Sequence, residues 1–243
     1  LMNATPVITT ATDINNKFAV DVFAKKCRLA IVNKDGIAGV SSKVLAGKVV
    51  TMSVDREHIP VKHRHLIKAF LDETDMSADA IKTVDFPPAC GADIVVSCEK
   101  AKNPKNGSIY LKPTQFVLGV GCRRGTVFEN IDSAIRQSLL KLQIDISDID
   151  MIASIDVKKD EPGIKEFCDR NRIEFVTYTA DELMAVQGEF SASQFVKEHV
   201  GVDNVCERAA VLACSRECNK AGQLIYKKHK YDGVTVAAAK YPD

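Results

Sequence analysis

The alternation of apolar and polar positions is most regular in the second half of the chain. Phe116-Val117-Leu118 is an apolar run of strand type. Apolar residues then recur at Phe128, Ile131, Ile135, Leu139 and Leu142, the spacing of one helix face. Thr126 with Glu129 three residues on is a capping-box pattern, which starts that helix at about Thr126. Met151-Ile152-Ala153-Ser154-Ile155 predicts a second buried strand. Residues 164–170 follow as a helix, with Pro162 suited to its first turn and Asp160 to its cap. Residues 174–178 predict a third strand, and Thr179 with Glu182 repeats the capping-box pattern. Residues 201–213 read as a capped, alanine-rich helix. Residues 224–229 and 234–239 flank Asp232-Gly233, a hairpin signal. Strands alternating with helices and closing in a hairpin predict a three-layer α/β/α sandwich with a mixed sheet.

The first half is less regular. Residues 6–13 predict a short strand and residues 19–26 the start of a helix. A helix over 37–45 stops at Gly47, and residues 48–54 are β-rich. A short helix over 65–71 and a buried strand at Ile94-Val95-Val96 follow. Residues 101–106, polar and holding Pro104 just before Gly107, are the best linker. The expected organisation is a smaller α/β region over residues 1–106 and an α/β domain over 107–243. The first residue is Leu1 and not methionine, which predicts a piece of a longer protein.

Composition narrows the function classes. A chain of 243 residues suggests about two domains, and 46% hydrophobic residues suffice for real cores. A net charge of +1 gives no global field for nucleic acid or an anionic membrane, so any anion site is local. No apolar run approaches a membrane span and no signal peptide is visible, so a cytoplasmic protein is expected. Eight cysteines without a Cys-x-x-Cys pair read as reduced thiols. Cys206, Cys214 and Cys218 would share a helix face, as small buried residues and not as metal ligands. His58, His63 and His65 sit in a charged segment read as solvated. No protein metal site and no cofactor are expected.

The chemistry centres on Gly119-Val120-Gly121-Cys122-Arg123-Arg124-Gly125-Thr126. A glycine-rich turn between strand and helix offers backbone N–H groups and the positive end of a helix dipole. Arg123 and Arg124 add planar forks suited to carboxylate or phosphate. Neither G-x-G-x-x-G nor G-x-x-x-x-G-K-[ST] occurs in the turn, so it is not a nucleotide fingerprint. The competing reading is a plain turn with two solvated arginines. Open α/β sheets bind ligands beyond the carboxyl ends of their strands. Residues 156–163 therefore join the site with Lys158, Lys159, Asp160 and Glu161, and the segment after Tyr178 is the third loop expected there. The cations suit a polyanionic small molecule, and a carboxylate could serve as general base. A solvated charge run is the competing reading of residues 158–161.

The words of these motifs carry more than their spacing. Gly-Val-Gly-Cys-Arg-Arg-Gly-Thr at 119–126, Ser-Ile-Asp-Val-Lys-Lys-Asp-Glu at 154–161, Gly201-Val202 through Cys206-Glu207 with Ala209-Ala210, and Val234-Thr235-Val236-Ala237 stand in order. Together they resemble the C-terminal domain of the CbiG family, the cobalt-precorrin-5A hydrolases of anaerobic cobalamin biosynthesis. Residues 5–13 and 19–25 resemble the end of that family's N-terminal domain, which implies a longer portion before them. Arg208 is less typical inside the third motif. The resemblance implies a cobalt-precorrin tetrapyrrole rich in acetate and propionate groups, whose ring A δ-lactone is opened by water with release of acetaldehyde. Cobalt then travels with the substrate. On this reading Gly119, Gly121, Arg123, Arg124, Thr126 and Lys158 hold the substrate, and Glu161 or Glu207 activates water. Homo-oligomers and contacts with other pathway enzymes stay open. A binding or carrier module for a corrin intermediate is the alternative.

Overall fold

The computed structural model describes residues 18–34, 36–73, 81–87, 91–98, 107–192, 198, 201–218 and 220–242. The expected strand over 6–13 and the linker over 101–106 lie outside the described residues. The chain divides into two compact units, Leu1–Pro113 and Thr114–Asp243.

In the first unit, α1 (Val20–Lys26), β1 (Leu29–Ile31), α2 (Ile37–Leu45), β2 (Val50–Val54), α3 (Val61–Glu73), β3 (Ile81–Val84), β4 (Ile94–Val96) and β5 (Ile109–Pro113) follow in order. The sheet order is β1-β5-β4-β2-β3. All neighbours are parallel except β1 against β5. Its core joins strand residues such as Met52, Ile94 and Ile109 to helix residues such as Phe23, Val40 and Ile67. Phe23 and Phe70 meet edge-on with ring centroids 5.1 Å apart. Strand β5 corrects the expected boundary. Its pairing with β4 and β1 assigns residues 109–113 to the first unit, so the division falls after Pro113 and not after residue 106. Helix α3 also starts four residues earlier than expected. That puts His63 inside, fully buried with Nε2 donating to the Arg28 carbonyl at 3.2 Å, whereas His65 stays exposed.

The second unit contains β6 (Phe116–Cys122), α4 (Phe128–Leu142), β7 (Ile149–Ile155), α5 (Pro162–Asn171), β8 (Glu174–Tyr178), α6 (Ala180–Ala185), α7 (Val205–Cys218), β9 (Gln223–Lys230) and β10 (Val234–Lys240). The order β8-β7-β6-β10-β9 makes a mixed sheet. Strands β6, β7 and β8 are parallel, and β10 is antiparallel to both β6 and β9. Side chains alternate across β6 as the pleat requires. Leu118 and Val120 pack with Ile131, Ile135, Ile164 and Phe167 of α4 and α5. Val117 packs on the opposite face with Leu183 of α6 and Ala209, Ala210 and Ala213 of α7. These two apolar layers make the expected three-layer sandwich.

Alanine and glycine set the depth of α7. A Cβ on Gly119 would lie 1.7 Å from the carbonyl oxygen of Cys206. The α7 backbone therefore rests directly on β6, and its small residues allow that approach. Helix starts in this unit differ from expectation at α4, α5 and α7, the last beginning at Val205 and not at residue 201. The capping box forms at α6, where Glu182 N–H donates to Thr179 Oγ1 at 3.2 Å and Thr179 N–H to Glu182 Oε2 at 2.7 Å. None forms at α4, whose N-cap is Val127: Thr126 stands one residue before the cap, its Oγ1 donating to the Arg123 carbonyl at 2.7 Å and its N–H to Glu161 at 3.1 Å. Glu161, not Asp160, stands at the N-cap of α5, with Pro162 opening the helix.

Candidate functional site

The parallel strands β6 and β7 end on the same edge of the sheet as β9, because β9 runs antiparallel to β10 and β10 antiparallel to β6. Over that edge opens a crevice of about 740 Å³. Its walls come from four segments. The turn after β6 brings Gly121, Cys122, Arg123 and Arg124, and the end of β7 brings Ile155, Val157 and Lys158. The start of α7 contributes Asn204, Val205 and Cys206. The β9–β10 hairpin contributes Lys228, Lys230, Tyr231, Gly233, Val234 and Thr235. Gly233, at φ +70°, gives the hairpin its tight bend, and its carbonyl accepts the Arg123 N–H at 3.0 Å. This bond ties the arginine turn to the hairpin.

The glycine-rich turn does hold an anion, but an internal one. Oε1 of Glu161 accepts the N–H groups of Gly125 at 2.6 Å and Thr126 at 3.1 Å. Its Oε2 accepts Lys158 Nζ at 2.9 Å. Glu161 is only 5% exposed, and the neighbouring Gly163 has room for no Cβ, which would stand 2.3 Å from the Thr126 carbonyl oxygen. The start of α5 thus clamps the turn and aims Lys158 along the crevice wall.

Glu207 has an equivalent place on the other side. It is fully buried, and its Oε1 accepts Ser191 Oγ at 2.8 Å and the Lys228 N–H at 2.6 Å. Its Oε2 accepts the Ser191 N–H at 2.8 Å. Asn204 caps α7, its Oδ1 accepting the Glu207 N–H at 2.9 Å, while its Nδ2 donates to the Ser191 carbonyl at 2.9 Å. Arg208 forks onto Asp203 at 2.7 and 3.1 Å, donates to the Leu183 and Val186 carbonyls, and covers the Phe190 ring at 4.6 Å. The residue that looked atypical in the third motif is a structural tie.

Of the residues expected to hold a ligand, Gly121, Arg123, Arg124 and Lys158 line the crevice. Gly119 packs against α7, and Thr126 is engaged inside its turn. Neither Glu161 nor Glu207 lines the crevice. The loop after Tyr178, expected as the third wall, does not line it; its place is taken by the start of α7 and the hairpin. Lys228, Lys230 and Tyr231 were missed. Lys228 and Lys230 alternate at the end of β9, which puts them on one face of a strand, but only the strand order brings that face to the crevice.

The charges of the crevice are unequal. Lys158 is neutralised by Glu161. Among the described residues, Arg123, Arg124, Lys228 and Lys230 have no carboxylate partner. Four cations without counter-charges border a crevice whose lining holds no carboxylate. The thiols beside them are held neutral. Burial raises Cys122 above the ordinary thiol value, with Lys158 acting against it, and burial pushes Cys206 up to about 12. No group of three or more metal-ligating side chains occurs among the described residues. No helix among them is long and apolar enough to cross a membrane.

Residues 116–239, from the first strand of the second unit to its last, match the family model described as "Cobalamin synthesis G C-terminus". The chain belongs to that family. It is 26% identical over 242 residues to the cobalt-precorrin-5A hydrolase of Priestia megaterium, an alignment covering 99% of this chain and 63% of that one. It is 28% identical over 239 residues to the cobalt-precorrin-5A hydrolase of Salmonella typhimurium, covering 97% and 64%. The chain therefore spans somewhat less than two thirds of the length of both relatives. Among solved structures, CobE, a protein from the cobalamin (vitamin B12) biosynthetic pathway, superposes with a TM-score of 0.51 at 25% identity. That match covers 54% of this chain and 92% of CobE. In this member of the cobalamin synthesis G family the matched segment contains every residue that lines the crevice.

Proposed function

We propose that the chain carries out the reaction for which its curated relatives are named, the hydrolysis of cobalt-precorrin-5A, opening its lactone with water and releasing acetaldehyde. The observation that carries this reading is the crevice bordered by four cations without carboxylate partners. A tetrapyrrole with several acetate and propionate groups supplies the missing charges, and arginine forks and ammonium groups are the donors that such carboxylates favour. Cobalt arrives with the substrate. Lactone opening develops negative charge on the carbonyl oxygen, which positive donors at the sheet edge stabilise. Glu161 and Glu207 act in this scheme as positioning groups. Three donors engage each of them and neither lines the crevice, so Glu161 serves through the arginine turn and Lys158, and Glu207 through Ser191 and Lys228.

The absence of a carboxylate from the crevice lining also favours a second reading, a module that binds or carries a corrin intermediate without chemistry of its own. Anaerobic incubation with cobalt-precorrin-5A separates the two. Acetaldehyde formed in step with substrate loss, and abolished in an Arg123→Ala/Arg124→Ala variant, supports the hydrolase. Tight binding with no acetaldehyde supports the carrier. Absence of both binding and acetaldehyde overturns the two readings together.

A further inference from the structure

Lys228 stands out among the four cations because of how it is held. Its side chain is half-buried, and its Nζ donates to the Ser191 carbonyl at 3.0 Å. Ser191 is itself fixed on every polar atom. Its N–H and Oγ donate to Glu207, and its carbonyl also accepts Asn204 Nδ2. The Lys228 backbone is tied to the same Glu207 through its N–H. A lysine normally loses much rotamer freedom when it captures a ligand. Here that freedom is already restricted, and the anchor is a neutral carbonyl. The full positive charge stays on the ammonium, with two N–H donors left for the crevice.

The position of Lys228 on the sheet adds a distance. In the order β8-β7-β6-β10-β9, the strand carrying Lys228 is two places from the strand that leads to Arg123 and Arg124. Neighbouring strands are about 4.8 Å apart, so the backbones that carry the two sets of cations stand about 10 Å apart. Between them the floor is uncharged, made by Gly121, Thr235 and Cys206. A ligand with carboxylates on two separate edges can engage both sets of cations at once.

We propose that Lys228 is a specificity-determining residue which, with Arg123 and Arg124 on the turn after β6, selects ligands carrying carboxylates on two separate edges. Glu207 is its positioning residue. This deepens the reading of the crevice as a tetrapyrrole site and rests on it, but it concerns recognition and not lactone opening.

Uroporphyrin III, which has eight carboxylates and no lactone, is the probe. Its binding to the full chain is followed by fluorescence quenching, with its octamethyl ester and succinate as comparisons. Wild-type chain is expected to bind the octa-acid and to ignore both the ester and succinate. Lys228→Met removes one charge-assisted contact, so affinity for the octa-acid falls about tenfold or more. Lys228→Arg keeps the charge and restores most of it. Glu207→Gln keeps the size but loosens the frame, and it lowers affinity with Lys228 still present. Circular dichroism and a melting curve on each variant identify any that fail to fold, and Lys228→Met, changed at a half-buried strand position, provides the reading if Glu207→Gln does not fold. Wild-type affinity in folded Lys228→Met, or equal binding of the ester, overturns the proposal. Because the probe cannot be hydrolysed, loss of the hydrolase reading would show as absent acetaldehyde with this binding pattern intact.

Discussion

The two units build the same kind of sheet and treat its carboxyl edge in opposite ways. In the first, β2 ends at Val54 and passes straight into Asp55, only 2% exposed. Asp55 accepts the His58 N–H at 3.3 Å, His58 Nδ1 at 2.9 Å and Ser97 Oγ at 3.3 Å, so the edge closes on the unit's own donors. At the other end of β4, Asp93 is likewise taken up by Lys43 and Thr51. In the second unit the buried carboxylates Glu161 and Glu207 do similar structural work, but four cations beyond them have no carboxylate partner among the described residues. A fold gains little by leaving positive groups together without counter-charges, since like charges repel. Charge that a fold leaves uncompensated in a crevice marks where a ligand of opposite charge belongs.

The contrast breaks most severely if Glu161 is removed. Glu161→Ala leaves two turn N–H groups and a partly buried lysine without their acceptor. It should destabilise the second unit by about 3 kcal/mol or more. A melt that moves by less than a few degrees would mean that the turn holds itself. The next effect is on ligand binding. Arg123→Ala/Arg124→Ala, at exposed positions, should weaken binding of a polycarboxylate tetrapyrrole about 100-fold while stability stays within about 0.5 kcal/mol. Unchanged binding with lost stability would make them structural arginines. Smaller still, Asp55→Asn should cost the first unit about 1–2 kcal/mol, because one acceptor of three donors becomes an amide. Ligand affinity should not follow, and a parallel loss would show that the first edge also binds.

The smallest effect concerns a thiol. Cys206 is held at about 12 by burial, so at pH 8 it stays a thiol and reacts far more slowly than a free cysteine of ordinary value about 8.5. Titration of native protein with a disulfide reagent should leave it unmodified until the chain unfolds. Rapid native labelling would show that the start of α7 opens.

Much of this was legible in the sequence because it is local. The period of Phe128, Ile131, Ile135 and Leu139 defines α4, and Asp232-Gly233 defines the hairpin. The pair Thr179 and Glu182 caps α6 as their spacing requires. What escaped depends on contacts between distant residues. Thr126 and Glu129 have the same spacing as Thr179 and Glu182, yet Glu161 takes the Thr126 N–H from 35 residues away, so no box forms. Gly119 reads as a ligand-facing glycine, but the α7 backbone lies on it. The membership of Lys228 and Lys230 in the crevice follows from the strand order, which placed β9 two strands from β6 and which no local pattern states. The C-terminal boundary of the first unit was displaced for the same reason, since β5 finds its partners in β1 and β4.

If the crevice is a tetrapyrrole site, the cationic edge of the second unit should suffice to recognise a carboxylated tetrapyrrole. The most direct test is a binding titration of uroporphyrin III against residues 114–243 alone, beside the whole chain. The expected result is a folded fragment whose dissociation constant lies within about threefold of the whole chain's, a difference below 1 kcal/mol. A fragment that is folded by circular dichroism and does not bind, while the whole chain does, would contradict it.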